Sequence, residues 1–274
     1  MSPRPHPAGC LLAAALAATP AARAESSLVT SFLESAYLGC MQIQGARIGD
    51  ARKARVFCLC SGSKLRTDLE SEELEQLAHR AANGVDIGEL PQFQRIVEDR
   101  RACDAVGTHD GRASSLERER LFGPFSIALP EGFLLLGRSE KHARRNWAFH
   151  RFHADLETTT LLQITILADE RIASSRTDDD VDRRNELELA KLVDELRQTR
   201  QGWRAGASRE IALGNLALRT VEWSARERAT PVRGIAGAGT AAGRVVLVRI
   251  QDDAARAEET LALARRSLET FRLR

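Results

Sequence analysis

The sequence predicts an α+β protein: a disulfide-stapled all-helical N-terminal domain followed by an antiparallel β-sheet with packed helices, an α/β/α sandwich. Three observations predict it. Apolar residues recur at helical spacing up to about residue 106, they alternate at strand spacing after residue 119, and every cysteine except Cys10 falls in the helical stretch. The 274 residues carry 40 Lys and Arg against 38 Asp and Glu with 43% apolar residues, a globular composition that excludes disordered and collagenous chains. A dedicated nucleic-acid binder would show basic excess over a whole domain, so that class is set aside. The longest charge-free apolar run, Leu11–Ala18, is far short of the roughly 20 residues that span a bilayer, so no transmembrane segment is expected in the mature chain.

Residues 1–24 read as a signal peptide. Arg4 and His6 precede the Leu/Ala run, and Ala22-Arg23-Ala24 has the small-x-small pattern of a secretory cleavage site, so the cut is placed after Ala24. A lipoprotein signal ending at Cys10 is the rival, but Pro7 stands where such a signal wants Leu, and Cys10 precedes the apolar run. Losing Arg4 and Arg23 leaves equal numbers of bases and acids, so the mature chain has no net field for long-range steering.

Residues 25–106 form the helical cysteine domain. Val29, Phe32, Leu33, Ala36 and Cys40 lie on one face of a first helix. Asp50 is placed as the cap of a second helix running through Cys60, and Thr67 with Glu70 as the capping box of a third, which carries Leu74, Leu77 and Ala78 and ends near Asn83-Gly84. A fourth follows Pro91 with Phe93, Ile96, Val97 and Cys103. So small a helical core gains most from disulfides, about 2–4 kcal/mol each. In an exported chain the even set Cys40, Cys58, Cys60 and Cys103 reads as two bonds. A 58–60 ring would be strained, which leaves 40–58 with 60–103, or 40–60 with 58–103. The functional alternative is a thiol-disulfide oxidoreductase using Cys58 and Cys60 beside Lys53 and Arg55. Against it, the two cysteines stand about 200° apart on a helix and lack the usual two-residue spacing.

Residues 107–118 mix turn formers with charge and show no period, so they read as a linker. From 119 to 274 the chain reads as the antiparallel α/β domain. Phe125, Ile127 and Leu129 alternate, as do Leu162, Ile164 and Ile166, and later Val246, Val248 and Ile250. Leu189, Leu192, Val193, Leu196 and Trp203 trace one helical stripe, placed at 185–203, and Leu261, Ala264, Leu268 and Phe271 trace another. The expected order is three strands, helix, three or four strands, helix. Short strand-to-strand spacings require hairpins, and two amphipathic helices require a sheet face to cover.

The segment Phe125-Ser-Ile-Ala-Leu-Pro-Glu-Gly-Phe133, the later strand pair with Trp223, the strand Val246–Ile250 and the ending Thr270-Phe271-Arg272 resemble the PsbP/DcrB/Mog-like α/β/α family over 119–274. Known members are mostly extrinsic or envelope-associated binding proteins without an agreed catalytic centre. The resemblance therefore implies binding, and it transfers no functional residue.

Asp178-Asp179-Asp180-Val181-Asp182 places carboxylates as a calcium loop does, but the required glycine and terminal glutamate positions are Arg183 and Leu189. The run reads instead as an acidic cap ahead of its helix. Gly237-Ala-Gly239-Thr-Ala-Ala242 matches a permissive dinucleotide pattern, yet a strand follows it where a helix should, so these glycines are assigned to a hairpin or bulge. His150 and His153 sit an odd number of positions apart and so on opposite strand faces, where they cannot chelate together. The candidate binding surface is the basic-aromatic stretch with Arg144, Arg145, Trp147, His150 and Arg151, a mixture suited to anionic surfaces or stacked ligands, although Trp147 is equally placed to be core. The expectation is an exported, non-catalytic binding or assembly protein of the bacterial cell envelope, periplasmic or secreted. Its partner would be an envelope protein or an anionic surface, with no cofactor and no metal. The oxidoreductase and a small-ligand binder are the alternatives.

Overall fold

The computed structural model describes residues 27–69, 71–87, 115–141, 143–153, 159–168, 177–213 and 216–274, with Leu90, Pro91, Phe93, Gln94, Cys103 and Asp155. The leader 1–24, Ile96 and Val97 of the expected fourth helix, and linker positions 107–114 lie outside the described residues.

Three helices open the chain: α1 (Ser27–Ile48), α2 (Ala51–Asp68) and α3 (Ser71–Ala82). Asp50 caps α2, its carboxylate accepting from the backbone N–H of Arg52 at 2.9 Å and of Lys53 at 3.3 Å. The helix does not stop at Cys60. Ser63 and Leu65 continue its buried stripe, so burial carries it on to Asp68. Thr67 is therefore an interior residue and not a cap, and its hydroxyl turns back to the Lys64 carbonyl at 3.4 Å. At the end of α3, Gly84 adopts φ 75°, and bonds from Val85 N to Arg80 O and from Gly84 N to Ala81 O, each 3.0 Å, close the helix in a Schellman turn.

The second half begins with β1 (Arg120–Leu121), β2 (Phe125–Ile127), β3 (Leu134–Lys141), β4 (Arg144–Phe152) and β5 (Thr159–Leu167). After α4 (Asp178–Gln198) come β6 (Gln201–Ala205), β7 (Arg209–Leu213), β8 (Leu216–Glu227), β9 (Thr230–Ala241) and β10 (Arg244–Asp253), then α5 (Ala257–Glu269) and β11 (Arg272–Leu273). The strand count exceeds the expected order because β3 and β9 do not alternate. β9 is largely Gly and Ala, and a strand of small residues has no apolar period to read. Eight strands form one antiparallel sheet, ordered β3-β4-β5-β10-β9-β8-β6 with β7 also on β8, while β1, β2 and β11 form a small second sheet.

Gly237 and Gly239 lie in the β9 arm of the β9–β10 hairpin, in regular register and not at a bulge, and the turn itself is Ala242-Gly243, with φ 45° and 69°. The strand glycines permit close approach instead. A Cβ on Gly234 would run into the Trp223 ring and the Ile250 carbonyl, and one on Gly239 into the Ala217 carbonyl. The first helical stripe is also corrected. α4 begins at Asp178, with Thr177 as its cap, so the acidic run forms the first turn; it ends at Gln198, and Trp203 belongs to β6.

Strand register assigns the two faces. Trp147, Phe149, Leu162, Ile164, Val246, Val248 and Ile250 pack against Leu261, Ala264 and Leu268 of α5 and against Phe125, Ile127 and Phe271. The opposite face carries Trp223, Ala236, Ala238, Val245 and Leu247 under Leu189, Leu192 and Leu196 of α4. This is the α/β/α sandwich the sequence predicts. At the far end of the α4 face, Val56 and Phe57 of α2 pack on Leu134 and Phe152, so the helical segment sits directly on β3 and β4. Of the two pairings left open, the structure has Cys40–Cys58 and Cys60–Cys103, with Cα–Cα distances of 5.7 Å in each. The first ties α1 to α2. The second ties α2 to the segment leading toward the sheet.

Candidate functional site

The alternation of β4 divides the basic-aromatic stretch. Trp147 is 1% exposed, with its ring edge-on to Phe125 at a centroid distance of 4.9 Å, and Arg151 on the same face is also buried. His150 points to the opposite face, where its Nδ1 lies 3.2 Å from the Thr159 hydroxyl. Arg144 is exposed and 4.0 Å from Glu195, and Arg145 is held by Glu140 at 2.6 Å. The five residues thus do not form one surface. Trp147 and Arg151 leave it because a two-residue period sends odd positions of this strand into the core.

On the His150 side of the sheet, β10 presents Arg249 and Gln251, and Arg200, just past the end of α4, bonds to Gln251. The Arg200 guanidinium donates to the Leu196 carbonyl at 3.3 Å, the Thr199 hydroxyl at 2.9 Å and Gln251 Oε1 at 2.7 Å, and it lies 3.8 Å from Glu227. Its carbon sits 5.0 Å from the Trp223 ring, which stacks on Trp203. Arg249 Nη2 donates to the same Gln251 oxygen at 2.6 Å, and Gln251 Nε2 donates to Glu227 at 2.9 Å. One neutral oxygen thereby accepts from two guanidinium groups. The Nε of each arginine is buried without a partner among the described residues.

The charges act on one another. Burial lowers Arg249 to about 10, and the Arg200 charge adds to that, opposed by Glu227 and Glu195. Burial likewise lowers Arg200, against the pull of the same two carboxylates. His150 is lowered by burial and then by Arg249. Chemically this is a set of fixed donors short of acceptors, suited to receiving negative charge.

A second cluster, on the α5 face, was not anticipated. His153 Nε2 meets Asp252 Oδ1 at 2.7 Å, and both side chains are sealed from solvent. Thr160 and Thr260 donate to Asp252 Oδ2 at 2.9 and 2.5 Å, and the Asp253 N–H to Oδ1 at 2.8 Å. Burial pushes the Asp252 carboxyl up, but the bonds from His153, Thr260 and Thr160 outweigh it and hold the group below the ordinary range. Burial and the Asp252 charge raise Asp253. Ligand-capable atoms of His153, Asp252 and Asp253 lie within 4.8 Å of one another. The His–Asp contact is nevertheless a hydrogen bond, and the carboxylate already has four donors, so this arrangement joins β4, β5, β10 and α5. The sequence did hold a signal for it. Counting by twos from Val246 through Val248 and Ile250 puts Asp252 on the apolar face, where a carboxylate needs partners.

No family model matches the chain, and no curated protein matches it. Among solved structures, the cyanobacterial PsbP (CyanoP) of Synechocystis sp. PCC 6803 is 12% identical with a TM-score of 0.40, over 61% of this chain and 96% of that one. LpqN of Mycobacterium tuberculosis, described as involved in cell envelope biogenesis, is 12% identical with a TM-score of 0.35, over 54% and 81% of the two chains. A Bacteroides thetaiotaomicron structure is 9% identical with a TM-score of 0.36; the match covers 55% of this chain and spans less than half, 45%, of that protein's length. At these scores no ligand, activity or residue role is transferred from any of them.

Proposed function

We propose that this chain is an exported, non-catalytic binding or assembly protein of the bacterial cell envelope, periplasmic or secreted. The observation that carries the reading is the state of the cysteines: Cys40–Cys58 and Cys60–Cys103 are both bonded, in the core that joins the helices to the sheet. Such staples persist in oxidising compartments, and residues 1–24 have the pattern of a route there. Among the described residues no helix is long and apolar enough to cross a membrane.

A thiol oxidoreductase needs a sulfur that a partner thiolate can reach. Cys58 and Cys60 are each 2% exposed and bonded to different partners, which favours a staple over an exchange pair. His153 is sealed against a carboxylate and is not placed to take a proton from a substrate, whereas Arg249 has donors left for a bound group.

Expression of the full chain with a C-terminal tag in a bacterial host tests the reading. The expected product is periplasmic or secreted, begins at Glu25 by intact mass, and has no thiol open to alkylation in the folded state. A cytoplasmic product that keeps its leader and has all five cysteines reduced overturns export, and reproducible turnover by the purified protein overturns the binding class.

A further inference from the structure

We propose that the arginine cluster between the end of α4 and β10 binds a small oxyanion ligand, a carboxylate or a phosphate monoester, grasped by Arg249 with Arg200 and His150 at its margins. The proposal rests on the binding reading and gives that reading a ligand chemistry.

Both arginines have a buried Nε without a partner among the described residues, and they differ in how many of their other donors are engaged. Arg200 has the Leu196 carbonyl, the Thr199 hydroxyl, Gln251 and Glu227 around it, and its flat face lies toward Trp223. Trp223 can lie there because Gly234 beneath it has no Cβ. Arg200 is therefore the clamped member of the cluster. Arg249, with the five N–H donors of any guanidinium, spends one on Gln251 among the described residues, and its buried Nε is unpartnered. Gln251 cannot answer this need, since its one oxygen is already shared with Arg200.

The charges point the same way. Arg200 and Arg249 approach a common neutral acceptor, and of their two acidic neighbours Glu227 is half exposed and engaged by Arg200 and by Gln251, while Glu195 is 63% exposed and lies 4.0 Å from Arg144. Like charges brought together out of water are costly unless a counter-charge joins them. A carboxylate or phosphate supplies that charge, and its paired oxygens match the planar fork of a guanidinium. His150, on the same sheet face and felt electrostatically by Arg249, adds a ring nitrogen at the edge. The His153–Asp252 cluster makes no such demand, because its carboxylate is fully occupied.

The test uses the oxidised mature chain, residues 25–274, titrated by calorimetry with sodium phosphate and with sodium succinate at matched ionic strength, sodium chloride being the reference. The expected result is saturable one-to-one binding of at least one of them, with phosphate alone, succinate alone or both telling which source of oxyanion the site accepts. Arg249→Met should weaken that binding by about tenfold or more, and Arg249→Lys, which keeps charge without the fork, should restore little of it. In the unmutated protein the His150 ring resonances should move to a higher titration midpoint on saturation, a readout that needs no variant to fold. Absence of saturable binding by either anion, equal affinity in Arg249→Met, or an unmoved His150 each overturns the proposal. Recovery of an envelope partner by a chain that takes neither anion overturns this site while leaving the binding reading in place.

Discussion

Along four consecutive residues of β10, Arg249 to Asp252, the chain reaches two polar clusters on opposite faces of one sheet, and they treat burial in opposite ways. Under α5, Asp252 is surrounded by donors from His153, Thr160, Thr260 and its own neighbour's backbone, so its charge is matched, and His153 Nδ1 is the cluster's one buried atom without a partner among the described residues. Beside α4, Arg249 and Arg200 bring two like charges to one amide oxygen and leave two buried N–H groups over. A cluster whose charge is matched holds a fold together, because removing the carboxylate strands its donors. One that gathers like charges on a neutral acceptor costs stability as it stands and suits the arrival of a counter-charge. Burial and charge alone do not separate structure from function here; the balance of donors and acceptors does.

The largest effect that would break this contrast lies on the side whose charge is matched. Asp252→Ala strips the acceptor from His153, Thr160 and Thr260 at once and should destabilise the oxidised protein by about 3–5 kcal/mol in urea unfolding. A cost under about 1 kcal/mol would mean the cluster is not a fastener. Acid sharpens the point. The folded-state value of Asp252 lies below its ordinary 3.8, so its contribution is complete above the unfolded value and is lost as pH falls through the folded one. The advantage of the unmutated protein over Asp252→Asn should therefore be constant near neutrality and shrink below about pH 4.

How much of this was legible depends on whether a pattern survives in one segment. The buried stripes of α1 and α5 and the strands β5 and β10 were readable because each repeats one period against one face. β9 was not, since Gly and Ala carry no contrast between faces, and α4 was displaced because an acidic run suits the first turn as well as the cap. The cysteines showed how many bonds to expect but not which, as both pairings close loops of reasonable length. The packing of Val56 and Phe57 on Leu134 and Phe152 joins segments whose separate periods say nothing of each other. The two clusters are the extreme case: His153 and Asp252 lie 99 positions apart, and Arg200 and Gln251 lie 51 apart. Counting by twos from Val246 is able to place Asp252 and Arg249 on opposite faces, but only the fold supplies their partners.

On the side that gathers like charges a smaller effect of opposite sign is expected. Arg249→Met keeps the apolar stem, removes one of two facing charges and frees Gln251 for Arg200, so its stability should match or exceed the unmutated protein's by up to about 1 kcal/mol at pH 7. The pH dependence has a definite direction. A base whose folded value, about 10, lies below its ordinary value binds fewer protons folded than unfolded above that pH, so its cost eases as pH rises through 10. Thermal melts at pH 7 and pH 10.5 should show any lead of Arg249→Met narrowing at the higher pH. A loss of 2 kcal/mol or more would make Arg249 a structural member and erase the contrast with Asp252.

The smallest effect is a shift in one titration, and it isolates charge from packing. His150 is lowered first by burial, which Arg249→Met leaves nearly intact, and second by the Arg249 charge, which the substitution deletes, while Glu227 continues to pull upward. The imidazole midpoint should consequently rise in Arg249→Met yet stay below its ordinary 6.5, followed by the ring-proton resonances across pH 4 to 8. Glu227→Gln should move the same resonances down, since it removes the one opposing carboxylate. Opposite shifts in the two variants would show that the charges of Arg249 and Glu227 both reach His150. If neither variant moves the midpoint, the charges are screened from one another, and the three are separate side chains rather than a site.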